Sequence, residues 1–207
     1  MLDHRIRPWL DPMLDRLARP LAIWGWHADH VTWVGFLIGL LAVPFLWLEW
    51  FVLALICVVL NRLADGLDGA LARATKPTDA GGFLDISLDF IFYQAVVLGF
   101  ALAFPEHWLP AMVLMFSFVW TGVSFLAFAV MAERHQLRNV NYPTKSIHYL
   151  GGLTEGTETI LFFVVILIWP NSFVVLAWIF ALLCWITGVI RLHYGYRTLK
   201  EINLKRS

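Results

Sequence analysis

The stretch NRLADGLDGALARATKPTDAGGFLDISLDF, residues 61–90, decides the fold of this 207-residue chain. It places Asp65, Asp68, Asp85 and Asp89 inside two otherwise apolar segments. An aspartate at the centre of a membrane helix costs roughly 2.5 to 3.5 kcal/mol, and less towards the interface. Four such residues close together therefore need something to offset their mutual repulsion.

Helical spacing gathers the four carboxylates into two stripes. At about 100° per residue, Asp65 and Asp68 lie about 60° apart on one helix, while Asp85 and Asp89 follow each other at i, i+4 on the next. A short connection makes the two helices antiparallel, so the stripes can face each other. Converging carboxylates repel unless cations lie between them. Because no Cys or His joins the cluster, its oxygen ligands favour Mg²⁺, Mn²⁺ or Ca²⁺ over zinc.

Composition indicates a membrane protein. Hydrophobic residues make up 60% of the chain and charged residues 14%, against roughly 25% charged residues in soluble domains. The zero net charge gives no field that would attract nucleic acid. We expect an all-α integral membrane protein with one domain, residues 1–207, and a bundle of six transmembrane helices over residues 31–199. The predicted spans are Val31–Trp50, Phe51–Ala74, Gly81–Phe104, His107–Glu133, Leu153–Trp169 and Ser172–Leu199.

The segment before the bundle is too polar to span a membrane. Apolar residues recur at three- and four-residue spacing from Ile6 to Leu21, with Arg and Asp between them. This pattern predicts an interfacial amphipathic helix within residues 1–25, lying on the cytoplasmic leaflet. A helix docked against the rest of the protein has the same pattern.

The basic residues predict the orientation in the membrane. All 15 Lys and Arg lie before span one, towards the connections after spans two and four, or at the C-terminal end. Under the positive-inside rule, both termini and the acidic cluster face the cytoplasm. We therefore expect a protein of the bacterial inner membrane.

The motif DGLDGALAR at residues 65–73, continued by GGFLDISLD at residues 81–89, resembles the signature of the CDP-alcohol phosphotransferase (CDP-alcohol phosphatidyltransferase) family. The resemblance extends to the surface helix and the six spans. Two departures are visible. The loop between Arg73 and Gly81 is one residue shorter than usual, and Asp29, in the segment that opens span one, replaces a more familiar asparagine.

The resemblance implies an enzyme of phospholipid synthesis that moves a phosphatidyl group from CDP-diacylglycerol to a small polar alcohol and releases CMP. It implies two divalent ions, Mg²⁺ or Mn²⁺, held by Asp65, Asp68 and Asp85 with help from Asp89, which is also the implied general base. The implied CDP-binding residues are Asn61, Gly69, Ala72, Arg73 and Thr78. The resemblance further implies a homodimer that contacts membrane lipids.

Two of these residues have structural alternatives. A guanidinium at Arg73 suits diphosphate oxygens, but it can instead pair with an aspartate. Gly69 suits close approach of a ligand, whereas small residues in membrane helices also permit close helix packing.

The acceptor site is less defined. Glu155 and Glu158 lie one turn apart at the start of span five, where they either bind acceptor hydroxyls or an amine, or simply suit a helix N-terminus. Lys145 and Arg191 are candidates for binding an acceptor phosphate. The sequence does not choose among glycerol phosphate, inositol phosphate, serine and choline.

Two other functions fit parts of the pattern. One is a transferase that takes a soluble CDP-alcohol as donor and a lipid as acceptor. The other is a non-catalytic cation carrier, although a carrier favours acidic residues spread through the bilayer depth, and here they cluster near one face.

Cysteine labelling of intact cells tests the predicted orientation. With Cys57 and Cys184 replaced, Lys76→Cys should resist a membrane-impermeant maleimide, because the loop faces the cytoplasm. A cysteine placed beside Glu106, in a connection that has no basic residue, should be labelled. External labelling at position 76 would overturn the orientation and the cytoplasmic location of the acidic cluster.

Overall fold

The computed structural model describes residues 3–135 and 152–204, and every regular element within them is a helix. The helices are α1 Asp3–Ile23, α2 Ala28–Leu40, α3 Ala42–Trp47, α4 Phe51–Ala74, α5 Asp79–Ala103, α6 Trp108–Arg134, α7 Gly156–Ile168 and α8 Phe173–Leu204. Short 3-10 turns at Pro105–His107 and Pro170–Ser172 precede α6 and α8. The predicted all-α class is confirmed.

Four helical stretches in the described residues are long and apolar enough to cross a membrane. They are Ala28–Trp47, Asp79–Ala103, Pro105–Arg134 and Pro170–Ile202. The helix α4 begins and ends where the second span was predicted, but its C-terminal half carries the motif aspartates. The 13 residues of α7 cover about 20 Å at 1.5 Å per residue, against a hydrocarbon core of about 30 Å. The membrane character is therefore confirmed, and the count of six spans stays a prediction.

The predicted first span is interrupted at Leu41, between α2 and α3. Pro44 has no N–H to donate to the carbonyl of Leu40, so the helical hydrogen-bond ladder cannot continue through this turn. The Leu41 N–H donates instead to the Ile38 carbonyl at 3.1 Å, which is the tighter 3-10 pattern. The interruption has a local cause in the sequence, since proline is one of the few recognised causes of helix kinks.

The helix α1 packs against α4. Leu14 and Ala18 of α1 are buried in a small cluster with Leu71. Gly66 of α4 permits this approach, because a Cβ there would come within 2.8 Å of the Leu14 side chain. Another part of α1 exposes Leu10, Met13 and Leu17. Docking against the protein is thus observed, and contact of the exposed side chains with lipid stays a prediction.

A close crossing of α2 and α4 sets the distance between the two helices. A Cβ added at Gly35 would come nearer to the Ala64 Cβ than real Cβ atoms approach. The Asn61 side chain, which is 4% exposed, donates from Nδ2 to the Gly35 carbonyl at 3.0 Å. Asn61, a predicted CDP-binding residue, therefore joins α4 to α2 one turn before Asp65.

Gly35→Ala should lower the melting temperature of the detergent-purified protein, because overpacking typically costs about 1–3 kcal/mol. Gly82→Ala is the matched control, since a Cβ at Gly82 meets no atom within 4 Å. Alanine within a helix is also favoured over glycine by roughly 0.5–1 kcal/mol. Equal melting temperatures for the two variants, measured by thermal unfolding, would contradict the close crossing at Gly35.

Candidate functional site

Three of the four motif aspartates meet where α4 faces α5. Asp65, Asp68 and Asp85 each offer a carboxylate oxygen, and these oxygens all lie within 4.8 Å of one another. Asp68 is buried and the other two are partly buried. We call these three residues the acidic triad. The prediction that the carboxylates of α4 and α5 converge is confirmed for these three residues.

The acidic triad fits a single hard divalent cation. Oxygens bound to one ion at about 2.1 to 2.5 Å lie at most about 4 to 5 Å apart, so the three carboxylates need only small movements to share an ion. A donor set made only of oxygen suits Mg²⁺, Mn²⁺ or Ca²⁺. The charge of the ion would also offset the repulsion among the carboxylates.

The helix α2 supports the acidic triad through Thr32. The Thr32 Oγ1 lies 2.5 Å from Asp68 Oδ2 and 3.1 Å from the Ala28 carbonyl oxygen. A hydroxyl has one proton to donate, and an ionised carboxylate is the stronger acceptor. Thr32 therefore orients Asp68 from the neighbouring helix, a role that the sequence pattern did not indicate.

The start of α5 is fixed by Thr78 and lies beside α2. Thr78 is the N-cap, and its Oγ1 accepts a hydrogen bond from the Gly81 N–H at 3.0 Å. A Cβ at Gly81 would lie 3.0 Å from Asp29 Oδ1, so the glycine permits this close approach. The observed role of Thr78 is helix capping, and its contact with CDP stays a prediction.

Asp89 lies in the same pocket as the acidic triad but is held by Arg62. The Arg62 NH2 lies 2.5 Å from Asp89 Oδ1 and the Arg62 NH1 lies 3.2 Å from Asp89 Oδ2. The Tyr93 hydroxyl donates to Asp89 Oδ2 at 3.2 Å. From the sequence, Arg62 was expected only to contribute to the basic residues that set the orientation in the membrane. Its position three residues before Asp65, on the same helical face, was the available signal.

The predicted diphosphate-binding residue Arg73 pairs with α1. Its NH2 lies 3.2 Å from Asp15 Oδ1 and 3.5 Å from Asp11 Oδ1, and the side chain is half exposed. A Cβ at Gly69 would lie 3.6 Å from Arg73 NH1, and Ala72 is partly buried beside them. The alternative pairing with aspartate is therefore observed, and the CDP contacts of these three residues stay predictions.

A cavity of about 550 Å³ opens beside the acidic site. Its walls come from α5, α6, α7 and α8 and include Asp85, Asp89, Phe125, Glu155 and Arg191. This volume lies in the range of about 300–1,000 Å³ that small-molecule sites typically have. The cavity thus brings two predicted acceptor residues, Glu155 and Arg191, into one space with two motif aspartates.

Arg191 is a buried cation in the wall of this cavity. Its side chain is 8% exposed, NH1 donates to the Thr121 carbonyl at 3.2 Å, and the guanidinium carbon lies 5.4 Å from the centre of the Phe125 ring. Lys145, the other predicted cation for the acceptor, lies outside the described residues. An arginine side chain stays positively charged even when it is buried. Arg191 therefore places a positive charge beside the cavity.

Glu155 and Glu158 form the N-terminal cap of α7. The Glu155 N–H donates to Glu158 Oε2 at 3.2 Å, and the Glu155 carboxylate accepts in return from the Glu158 backbone. Glu155 Oε1 also accepts from the Gly152 N–H at 3.1 Å. The helix-terminus interpretation is confirmed for both residues, while a role in acceptor binding stays a prediction.

Acidic residues inside a bundle of apolar helices usually mark a functional site, and here they lie beside a cavity of the size that binds small molecules. Residues 25–190 match the model of the CDP-alcohol phosphatidyltransferase family, and the chain belongs to that family. It is therefore a membrane protein of a transferase family that acts in phospholipid synthesis.

Two relatives align over nearly the whole chain. The inner membrane protein YnjF of Escherichia coli is 54% identical over 98% of this chain and 98% of its own length. The archaetidylinositol phosphate synthase of Pyrococcus horikoshii is 31% identical over 95% of this chain and 97% of its own length.

Solved structures of the phosphatidylinositol phosphate synthase of Mycobacterium tuberculosis share the fold. The structure with CDP-DAG bound has a TM-score of 0.65 at 24% identity and covers 89% of this chain and 94% of its own. The structure in complex with manganese and citrate has a TM-score of 0.61 at 24% identity and covers 88% of each chain.

Removal of one triad charge should weaken metal binding. Asp68→Asn should lower Mn²⁺ affinity at least tenfold, a change of about 1.4 kcal/mol, because it removes an ionised ligand that a metal requires. Asp79→Asn is the control, since this exposed aspartate at the start of α5 lies outside the acidic triad. Calorimetric titration with Mn²⁺ measures both, and equal affinities would contradict a metal site at the triad.

Proposed function

We propose that this protein transfers a phosphatidyl group from CDP-diacylglycerol to the hydroxyl group of a small phosphorylated alcohol and releases CMP. The observation that carries the proposal is the cavity shared by Asp85 and Asp89 of the family motif and the buried cation Arg191. CDP-diacylglycerol as donor is supported by the family and by the M. tuberculosis enzyme, which was solved with CDP-DAG bound.

The donor diphosphate would lie against the C-terminal half of α4. A divalent cation, Mg²⁺ or Mn²⁺, held by the acidic triad would neutralise the diphosphate and stabilise the departing CMP. Arg73 would exchange its exposed partners Asp11 and Asp15 for phosphate oxygens, which form stronger bidentate contacts with a guanidinium. Gly69, beside Arg73, adds no side chain between the helix and the ligand.

Asp89 would act as the general base. It lines both the small pocket of the acidic triad and the larger cavity, so its carboxylate has access to both substrates. The base takes the proton of the acceptor hydroxyl, the alcohol oxygen forms a bond to the β-phosphorus of the donor, and the bond from that phosphorus to the CMP oxygen breaks. The Arg62 contact holds the carboxylate in a fixed position beside the cavity.

A phosphorylated acceptor is supported by Arg191. A guanidinium presents a fork of N–H donors that matches phosphate oxygens, and one of these donors in Arg191 is directed to the Thr121 carbonyl at 3.2 Å. Lys145 is a second candidate for the same phosphate. The names of two relatives, synthases of archaetidylinositol phosphate and phosphatidylinositol phosphate, agree with an acceptor of this class.

The membrane arrangement belongs to the same proposal. The distribution of the basic residues supports six spans, an α1 surface helix and cytoplasmic termini. The family resemblance supports a homodimer. The E. coli relative is named as an inner membrane protein, which agrees with a location in the cytoplasmic membrane. In this orientation a soluble acceptor and a lipid donor both have access to the site.

The reaction can be tested by CMP release from CDP-diacylglycerol in detergent, with Mg²⁺ and a panel of acceptors. Alcohol phosphates, such as glycerol phosphate and inositol phosphate, should support release, whereas serine, choline and unphosphorylated inositol should not. Chelation of divalent cations should abolish it. Release with every acceptor absent, or only with unphosphorylated alcohols, would contradict the proposal.

Asp89→Asn should separate binding from chemistry. The acidic triad and Arg73 remain, so the variant should bind CDP within about tenfold of the parent, roughly 1.4 kcal/mol. Its turnover should fall by at least about 10²-fold, as is typical when a positioned base is lost. Calorimetry with CDP and the CMP-release assay measure the two quantities. Near-parental turnover would place the base elsewhere, and equal losses of binding and rate would make Asp89 chiefly a metal ligand.

A further inference from the structure

The fourth motif carboxylate is engaged by a protein cation. Both oxygens of Asp89 accept from Arg62, at 2.5 Å from NH2 and 3.2 Å from NH1, which is the bidentate geometry of a strong guanidinium–carboxylate pair. The Arg62 side chain is 15% exposed and the Asp89 side chain 26% exposed. The pair is therefore shielded from solvent far more than an ordinary surface salt bridge.

The same guanidinium also lies beside the acidic triad. Its NH1 is 3.6 Å from Asp65 Oδ2, so a single positive charge lies between Asp65 and Asp89. A metal ion shared by these two carboxylates would need the same position. An ion there would also have to approach a permanent cation closely, which costs free energy in a site with little water.

Other contacts fix Arg62 in this position. Its Nε and NH2 donate to Asn61 Oδ1 at 2.9 and 2.6 Å, and Asn61 is itself anchored to the Gly35 carbonyl. The guanidinium carbon lies 5.0 Å from the centre of the Phe92 ring, a favourable cation–π distance. To move aside for a second metal ion, Arg62 would have to break several charge-assisted bonds together.

We propose that Arg62 takes the place of a second metal ion, so that the protein binds one divalent cation at the acidic triad and uses Arg62 as the positioning residue for Asp89. The assignment of Asp89 as the base rests on the proposed function, whereas the number of ions does not. The expectation of two ions, drawn from the family resemblance, is replaced in this proposal by one ion and one guanidinium.

The arrangement leaves Asp89 able to accept a proton. An ionised carboxylate has about four lone-pair sites. Arg62 uses two of them and the Tyr93 hydroxyl one, on Oδ2. The remaining site is on Oδ1, and it is available to the hydroxyl of an acceptor in the cavity that Asp89 lines.

Metal stoichiometry tests the proposal directly. Titration of detergent-purified protein with Mn²⁺, with unbound Mn²⁺ followed by electron paramagnetic resonance, should give one ion per chain. Arg62→Gln should give two ions, because Asp89 and Asp65 are then free to share one. Arg73→Gln is the matched control: it removes an α4 cation that pairs with Asp11 and Asp15, and should leave the number at one.

Asp89→Asn provides a second test that does not depend on the folding of the Arg62 variant. Because Asp89 is not a metal ligand in this arrangement, the variant should still bind one Mn²⁺ with an affinity within about tenfold of the parent. Two ions on the parent, loss of an ion in Asp89→Asn, or a single ion on a folded Arg62→Gln would each overturn the proposal. Since Mn²⁺ is counted without turnover, the CMP-release assay can fail or succeed independently of this result.

Discussion

Negative charge gathered between α4 and α5 has to be balanced inside a largely apolar bundle. Carboxylate oxygens within 4.8 Å of one another repel strongly where water is scarce, and the cost grows as the local dielectric constant falls. The chain contributes one balancing charge itself, through Arg62 on the same helix as Asp65 and Asp68. A divalent cation held by the acidic triad would contribute the other. The packing around α4 is arranged to hold these charges at fixed distances.

The helix α2 is the main support for that arrangement. The glycine at position 35 lets α2 approach α4 closely, and this approach allows Asn61 to reach the Gly35 carbonyl and Thr32 to reach Asp68. Asn61 in turn holds the guanidinium that binds Asp89. The contact between α2 and α4 is thus connected to the orientation of Asp89 on α5 through the side chains of Asn61 and Arg62. A substitution at Gly35 would therefore disturb the position of Asp89 without contacting a substrate.

Much of the fold could be predicted because apolar length and helical spacing are local properties. The helix α4 begins at Phe51 and ends at Ala74 as expected, and α5 brings Asp85 to the acidic triad because i, i+4 spacing needs no tertiary information. The interruption at Leu41 could also have been anticipated from Pro44. The short α7 was harder to predict, since an apolar stretch does not show where a capping box will start the helix.

The side-chain partners in the site were not predictable in the same way. Arg62 and Arg73 are both on α4, and the spacing of the motif drew attention to Arg73. In the structure Arg73 reaches out to α1, while Arg62 reaches inwards to Asp89 on α5. Which of the two arginines meets which carboxylate depends on how α1, α4 and α5 pack together. A single sequence does not show that packing.

Within the described residues, α8 extends well beyond the level at which the shorter α7 begins. The two threonines Thr154 and Thr187, whose hydroxyl oxygens lie 3.3 Å apart, mark the level where α7 begins. Beyond it, residues 188–204 of α8 run on for roughly 25 Å with α6 alongside, where Gly195 admits the Phe128 ring. In a bilayer, the 13-residue α7 would present an apolar wall only about two thirds as thick as the hydrocarbon core, and a wall shorter than the core is accommodated by local thinning. Arg191 lies one turn beyond Thr187 on α8, and such thinning would shorten the distance that a polar molecule travels from the aqueous phase to its guanidinium.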